Sequence, residues 1–184
     1  MMLKKIFLLI FVLFFSKSYA LEIKLDKKFD NLDKPWSLSF INSDNIILTE
    51  KKGKLYFINL KSKKISEIKH NLSLISSGQG GLLDVLYHKG EVYVSYSEKR
   101  GNLTSSTSVA KGKFNTSKIY FENIFRANPS IASGYHFGSR LVIKNKQIYI
   151  SAGERGKGMI AQDATKHPGS IIRINLDGSI PPDN

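Results

Sequence analysis

The feature that most constrains this chain is an internal repeat of about 50 residues, carried by short β-strand patterns. Three strand-like runs end in Glu50, Glu98 and Glu154, which are 48 and 56 residues apart. Each run is preceded by one apolar strand pattern and followed by another. A unit of three or four antiparallel strands with this period is typical of a β-propeller blade. The sequence therefore predicts an all-β chain with about three propeller blades; a β-sandwich is the alternative.

Nine strands are predicted from runs rich in β-branched and aromatic residues, separated by Gly, Asn, Asp, Ser and Lys. They are Trp36–Phe40, Asn45–Thr49, Lys54–Leu60, Leu82–Tyr87, Glu91–Tyr96, Ser108–Phe114, Arg140–Ile143, Gln147–Ala152 and Ser170–Leu176. Three blades cannot close a ring, since propellers have about four to eight. Either the chain pairs with a copy of itself or it is part of a longer protein. The Pro-containing stretch Asp177–Asn184 favours the second interpretation.

The chain divides into a predicted secretory signal peptide, residues 1–20, and a propeller part, residues 21–184. The first part has a basic start, the apolar run Ile6–Phe15, and the small residues Ser18 and Ala20 before the expected cut. Its apolar run would cover about 15 Å, roughly half of a bilayer core. We therefore expect a periplasmic or secreted protein with no stable membrane span after cleavage.

Composition excludes several classes of function. The 184 residues include no Cys, which rules out Cys-ligated zinc, iron–sulfur clusters and Cys nucleophiles. Lys and Arg number 28 against 15 Asp and Glu, a net charge of +13. Such a charge suggests nucleic acid or an anionic surface, but the cations are spread along the chain. We interpret them as a solvated basic surface and expect no nucleic-acid partner.

Two glycine-rich segments are candidates for a functional site. In Ser77–Asp84, glycines around Gln79 permit a close backbone approach, although the residues by themselves favour a tight turn with Gln79 merely exposed. In Gly134–Leu141, His136 lies just before a strand, where it could act as a general base. The alternative is a structural histidine bonded to a backbone carbonyl.

A third glycine-rich loop follows the strand that ends near Glu154. It matches neither the P-loop nor the dinucleotide fingerprint, and it leaves Glu154 and Arg155 at the rim. The acids Asp84, Glu154 and Asp163 could be calcium ligands, but no compact acidic loop is present, and the histidines lack metal-binding spacing. The residues therefore predict no metal site.

Taken in order, these segments resemble the glucose/sorbosone dehydrogenase family, the soluble aldose sugar dehydrogenases that depend on pyrroloquinoline quinone (PQQ). The matching stretches are PWSLSF (35–40), GQGGLLDV (78–85), HFGSRL (136–141), ISAGERG (150–156) and AQDATKHPGSIIRINLDGSIPPDN (161–184). They follow the family's order and cover nearly the whole chain after residue 20. The resemblance implies a six-bladed propeller, of which this chain is about the N-terminal half.

The resemblance also implies a mechanism. His136 would be the general base that removes the proton from the anomeric hydroxyl of an aldose, while hydride passes to PQQ and a lactone forms. Gln79 would bind the sugar, and Glu154 would orient the sugar or the histidine. Calcium bound to PQQ would polarise the accepting carbonyl, and an external electron acceptor would reoxidise the cofactor.

Two departures limit what the resemblance implies. Ser139 stands where the family commonly has glycine, a change that costs little only if that backbone does not need a positive φ. The family's PQQ-binding positions and most of its calcium ligands lie in its second half, so this chain alone is expected to be inactive. The alternatives are a non-catalytic secreted propeller that binds a sugar or protein, and a calcium-dependent sugar lactonase.

Overall fold

Three sheets, antiparallel except for one short parallel pair in the first, correspond to the three sequence repeats. The computed structural model describes residues 21–184, so the predicted signal peptide, residues 1–20, lies outside the described residues. Residues 21–30 lack regular secondary structure, and residues 31–184 form a separate compact unit. Within the described range there is no α-helix, only a 3₁₀ turn at Gly158–Gln162, and hence no helix suited to crossing a membrane.

In chain order the strands are β1 (Pro35–Asn42), β2 (Asn45–Glu50), β3 (Leu55–Asn59), β4 (Lys64–His70), β5 (Leu82–His88), β6 (Glu91–Lys99), β7 (Ser105–Lys113), β8 (Lys118–Ile119), β9 (Glu122–Arg126), β10 (Gly138–Lys144), β11 (Gln147–Ala152) and β12 (Ile171–Asn175). Blade 1 has the strand order β1-β2-β3-β4-β8, blade 2 the order β5-β6-β7-β9, and blade 3 the order β10-β11-β12. The prediction of an all-β chain with about three blades is confirmed.

The predicted strands are all present, and their ends differ from the observed ones by at most three residues. The prediction missed β4, β8 and β9. In β4 the apolar residues Ile65 and Ile68 are three apart rather than two, and only Ile68 is buried. Because these outer strands bury few side chains, they lack the alternation that reveals a half-buried strand.

The apolar core lies between neighbouring blades, and β6 contributes to it from both faces. Val92, Val94 and Tyr96 belong to the cluster between blades 1 and 2, whereas Tyr93 belongs to the cluster between blades 2 and 3. Successive side chains of a strand point to opposite faces of its sheet. Both faces of β6 are therefore packed against a neighbouring blade. The burial of apolar side chains on both sides of blade 2 holds the three blades together.

A repeated hydroxyl contact sets the register between blades. Thr49, Ser95 and Ser151 each accept an N–H from the first strand of their own blade, at 3.2, 2.9 and 2.9 Å. The first two also donate to a carbonyl of the next blade, at 2.6 Å in both cases. This register makes Glu98 and Glu154 equivalent, each three residues after its hydroxyl. Glu50 follows Thr49 directly, so it does not occupy the position of the other two glutamates, although its run also ends in Glu.

The carboxylate of Asp84 connects the first strands of all three blades. It is buried, with 4% of its surface exposed. Its Oδ1 accepts hydrogen bonds from the Ser37 hydroxyl at 2.5 Å and from Arg140 at 3.2 Å, and its Oδ2 accepts the Leu141 N–H at 2.8 Å. Each first strand has a pairing irregularity at this level. Asp84, weighed above as a calcium ligand, is therefore a structural group.

Asp84→Asn should lower the free energy of unfolding by about 3 kcal/mol. An amide must turn its NH₂ group toward the donors on one side or the other, which leaves buried donors without an acceptor. Urea denaturation of the two proteins measures the difference. The matched control is Asp44→Asn, because its partner Lys61 is 77% exposed and the ion pair should contribute less than about 1 kcal/mol. Equal losses in the two variants would contradict the structural role of Asp84.

Candidate functional site

Three residues singled out in the sequence meet at one rim of the sheets. His136 lies just before β10 and Glu154 just after β11, and these antiparallel strands pair Gly138 with Ala152. The end of one strand therefore lies beside the start of the other, and His136 Nδ1 contacts a carboxylate oxygen of Glu154. The backbone N–H of His136 donates to Oε1 of Gln79 at 2.8 Å.

The contact with Glu154 determines which nitrogen of His136 is available. The hydrogen bond from His136 is the largest cause of a lowered pKa of the Glu154 carboxyl, and the Gly156 N–H, 3.1 Å away, also contributes. The carboxyl is therefore ionised at neutral pH and can only accept hydrogen bonds. Nδ1 must then carry the proton, which leaves the Nε2 lone pair to act as a base. The His136 side chain is about half exposed, at 52%.

Gln79 acts on the loop of His136 through its side-chain carbonyl. Its own N–H donates to the Gly134 carbonyl at 2.7 Å, so two hydrogen bonds connect the loops. Gly78 is needed here, because it has a φ of +57° and a Cβ at this position would overlap the carbonyl oxygen of Gly134. The carbonyl of Gln79 is thus occupied by protein, and its amide nitrogen is the end left for a ligand.

The backbone around His136 adopts left-handed conformations that are unusual for residues other than glycine. His136 has a φ of +47° and Ser139 a φ of +77°. A serine in place of glycine at position 139 was expected to cost little only if the backbone there does not need a positive φ. The observed φ of Ser139 is positive, so the substitution carries a conformational cost. Ser139 is fully buried, and its carbonyl accepts the Ser95 hydroxyl. Such residues cost roughly 1–3 kcal/mol each and occur where the surroundings fix them, often at functional sites.

The equivalent position in blade 2 shows what is different about Glu154. Glu98 accepts hydrogen bonds from Arg126 at 3.0 Å and from the Ser108 hydroxyl at 2.8 Å. It is therefore a structural carboxylate that binds the neighbouring strands of its own blade. At the equivalent position of blade 3, Glu154 contacts a half-exposed histidine instead of the strands of its own blade.

Arg155 does not lie where its sequence context predicts. It was expected at the rim, but only 2% of its surface is exposed. Its guanidinium binds backbone carbonyls and a serine, which leave no charge pattern in the sequence. The one sequence feature that points to this burial is the pair of flanking glycines, which allow the sharp turn that places the side chain inside.

Nowhere in residues 21–184 do three or more His, Cys, Asp or Glu side chains cluster in a way that could hold an ion. Asp163, weighed above as a calcium ligand, instead accepts the N–H and the hydroxyl of Thr165, at 2.9 and 2.6 Å.

Comparison with known proteins assigns a family to this arrangement. The family model described as Glucose / Sorbosone dehydrogenase matches residues 32–184. The chain is 32% identical over 165 residues to aldose sugar dehydrogenase YliI of Escherichia coli (strain K12), covering 84% of this chain and 44% of that protein. It is 28% identical over 197 residues to quinoprotein glucose dehydrogenase B of Acinetobacter calcoaceticus, covering 86% and 41%.

A solved glucose dehydrogenase structure has the same fold over this region. It superposes with a TM-score of 0.82 at 30% identity, covering 86% of this chain and 53% of that chain. The chain thus spans about half the length of the relatives that it matches.

The His136–Glu154 contact can be tested by titration. In His136→Ala the pKa of Glu154 should rise toward its ordinary value of 4.5, because the hydrogen bond from His136 is the main cause of its depression. Carbon-13 NMR of the carboxyl group measures this pKa in both proteins. Asp163 is the internal control, since its pKa is lowered by Thr165 and should not change. A Glu154 pKa that is the same in the variant would contradict the contact.

Proposed function

Because the chain belongs to the glucose/sorbosone dehydrogenase family, we propose that it carries the sugar-oxidising site of a PQQ-dependent aldose dehydrogenase. The observation that supports this most directly is the His136–Glu154 pair, which leaves Nε2 of a half-exposed histidine available at the rim. The reaction is oxidation of an aldose at its anomeric carbon to the lactone.

The proposed task of His136 is removal of the anomeric proton. An anomeric hydroxyl is a poor hydride donor until its proton leaves, and Nε2 accepts that proton. The imidazole then becomes positively charged, and the ionised carboxylate at Nδ1 stabilises this charge without taking the proton itself. General base catalysis of this kind contributes about 10²- to 10⁴-fold to a rate.

Gln79 and Glu154 have different parts in this proposal. Gln79 uses its carbonyl to hold the N–H of His136, and its amide nitrogen donates to a sugar hydroxyl. Glu154 orients the imidazole through Oε1, the atom that contacts Nδ1 and also accepts the Gly156 N–H. Gln79 thus holds the backbone of His136, and Glu154 holds its ring.

The residues present fit the sugar side of the reaction but not the cofactor side. No acidic cluster for calcium occurs in the described part of the chain, and the guanidinium of Arg155 is occupied by protein acceptors. PQQ supplies the hydride acceptor when bound, by family membership, and calcium is proposed with it. We place the contacts to both groups in the part of the family fold that this chain does not span, so the 184 residues alone should be inactive.

The remaining parts of the proposal concern the protein's surroundings. An aldose is the substrate, and an external electron acceptor receives the electrons. The pattern of residues 1–20 supports export and removal of that segment, followed by action in the periplasm or outside the cell. Residues 21–184 then form the N-terminal part of the dehydrogenase domain.

The assay uses a protein of family length that carries this sequence as its N-terminal half. It should reduce an artificial acceptor with aldoses only after PQQ and Ca²⁺ are added, and His136→Ala should lower kcat by about 10²- to 10⁴-fold. His88→Ala is the matched control, because His88 lies at the end of β5 opposite to the Gln79 loop and should leave kcat unchanged.

Two results would overturn the proposal: turnover without PQQ, or full activity of the His136 variant. Aldose binding that is indifferent both to PQQ and to His136 would instead support the rival function, a non-catalytic propeller that binds sugar. Calorimetric titration with glucose, with and without PQQ, separates these outcomes.

A further inference from the structure

Arg155 is a buried cation that the proposed reaction does not use. Only 2% of its surface is exposed, and burial lowers its pKa to about 10. Among residues 21–184, no carboxylate lies within salt-bridge distance of it. Buried charges are normally paired with an opposite charge, so a guanidinium that is satisfied by neutral groups calls for an explanation.

The acceptors of Arg155 lie mainly on the loop that carries His136. Nε donates to the Tyr135 carbonyl at 2.9 Å, and Nη2 donates to the Ser133 carbonyl. The guanidinium lies over the ring of Phe137, 3.6 Å from its centroid. The backbone N–H of Arg155 donates to the His136 carbonyl at 3.3 Å. Arg155 therefore contacts residues on both sides of His136 and His136 itself.

The other end of the guanidinium reaches blade 2. Nη1 donates to the Ser105 carbonyl at 2.9 Å, and Nη2 donates to the Ser105 hydroxyl at 3.1 Å. Ser105 is the first residue of β7 and is buried, so it is a fixed reference point. The loop of His136 is thereby connected through one side chain to the interior of a neighbouring blade.

We infer that Arg155 is a positioning residue that holds the segment 133–137 so that His136 keeps its left-handed backbone and its contact with Glu154. The inference rests on the proposed function for its catalytic consequence, but not for the contact itself. Glu154 and Arg155 are adjacent, so a single turn binds both the ring of His136 and the backbone around it. Lysine cannot replace Arg155, because its ammonium lacks the planar set of five donors that reaches several acceptors.

The first experiment follows His136 by NMR in the 184-residue chain. In Arg155→Gln and Arg155→Lys, amide exchange at His136 should become at least tenfold faster, and the imidazole nitrogen shifts should lose the signature of the Glu154 contact. Circular dichroism should show that both variants remain folded. Arg126→Gln is the matched control, because Arg126 binds Glu98, the blade 2 equivalent of Glu154, and its loss should leave the His136 signals unchanged.

A folded Arg155 variant with unchanged His136 signals would overturn the inference. Loss of the fold in both variants would also overturn it, because a purely structural role would then be sufficient. Full rescue by lysine would show that the charge alone matters, which contradicts a positioning role through several acceptors.

The second experiment measures catalysis in the protein of family length. Arg155→Lys should lower kcat by about 10²-fold while KM changes little, since a small misplacement of a reacting group has this effect. An unchanged kcat would overturn the catalytic consequence. If the wild-type protein has no dehydrogenase activity, the proposed function fails, while the NMR result still decides whether Arg155 positions His136.

Discussion

The buried carboxylate of Asp84 is the interaction on which the rest of the structure depends. Its two oxygens accept donors from the first strands of blades 1 and 3 while Asp84 itself belongs to blade 2. A carboxylate can accept several hydrogen bonds at once, which neither an amide nor a hydroxyl can do without also turning a donor inward. Blade 3 thus has a fixed position relative to blade 2, and the rim that carries the site inherits that position.

The site itself is built by strand geometry. Because β10 and β11 are antiparallel neighbours, residues 18 positions apart in sequence come into contact at one end of the hairpin. The loop around Gln79 reaches the same place through two hydrogen bonds with the backbone of the segment before β10, one from its own backbone and one through the Gln79 side chain. None of the three side chains lies on an outer strand.

Sequence reasoning succeeded where the signal is local and repeated. The runs of β-branched and aromatic residues located β2, β6 and β11, and the glycines around Gln79 and His136 marked the loops that meet. It failed for β4, whose isoleucines do not alternate, and for Arg155, whose partners are carbonyl oxygens present in every residue. Glu50 and Glu98 both end a strand-like run, but they do not occupy equivalent positions. The register between blades follows the hydroxyls of Thr49 and Ser95 and not the glutamates.

The choice of carbonyl oxygens as the acceptors of Arg155 has an evolutionary consequence. Any amino acid at position 135 offers the same carbonyl, so Tyr135 can be exchanged without loss of that hydrogen bond. Its ring is exposed, and its centroid lies 6.1 Å from that of His136. Position 135 can therefore change, and with it the surface beside His136, while His136 keeps its place.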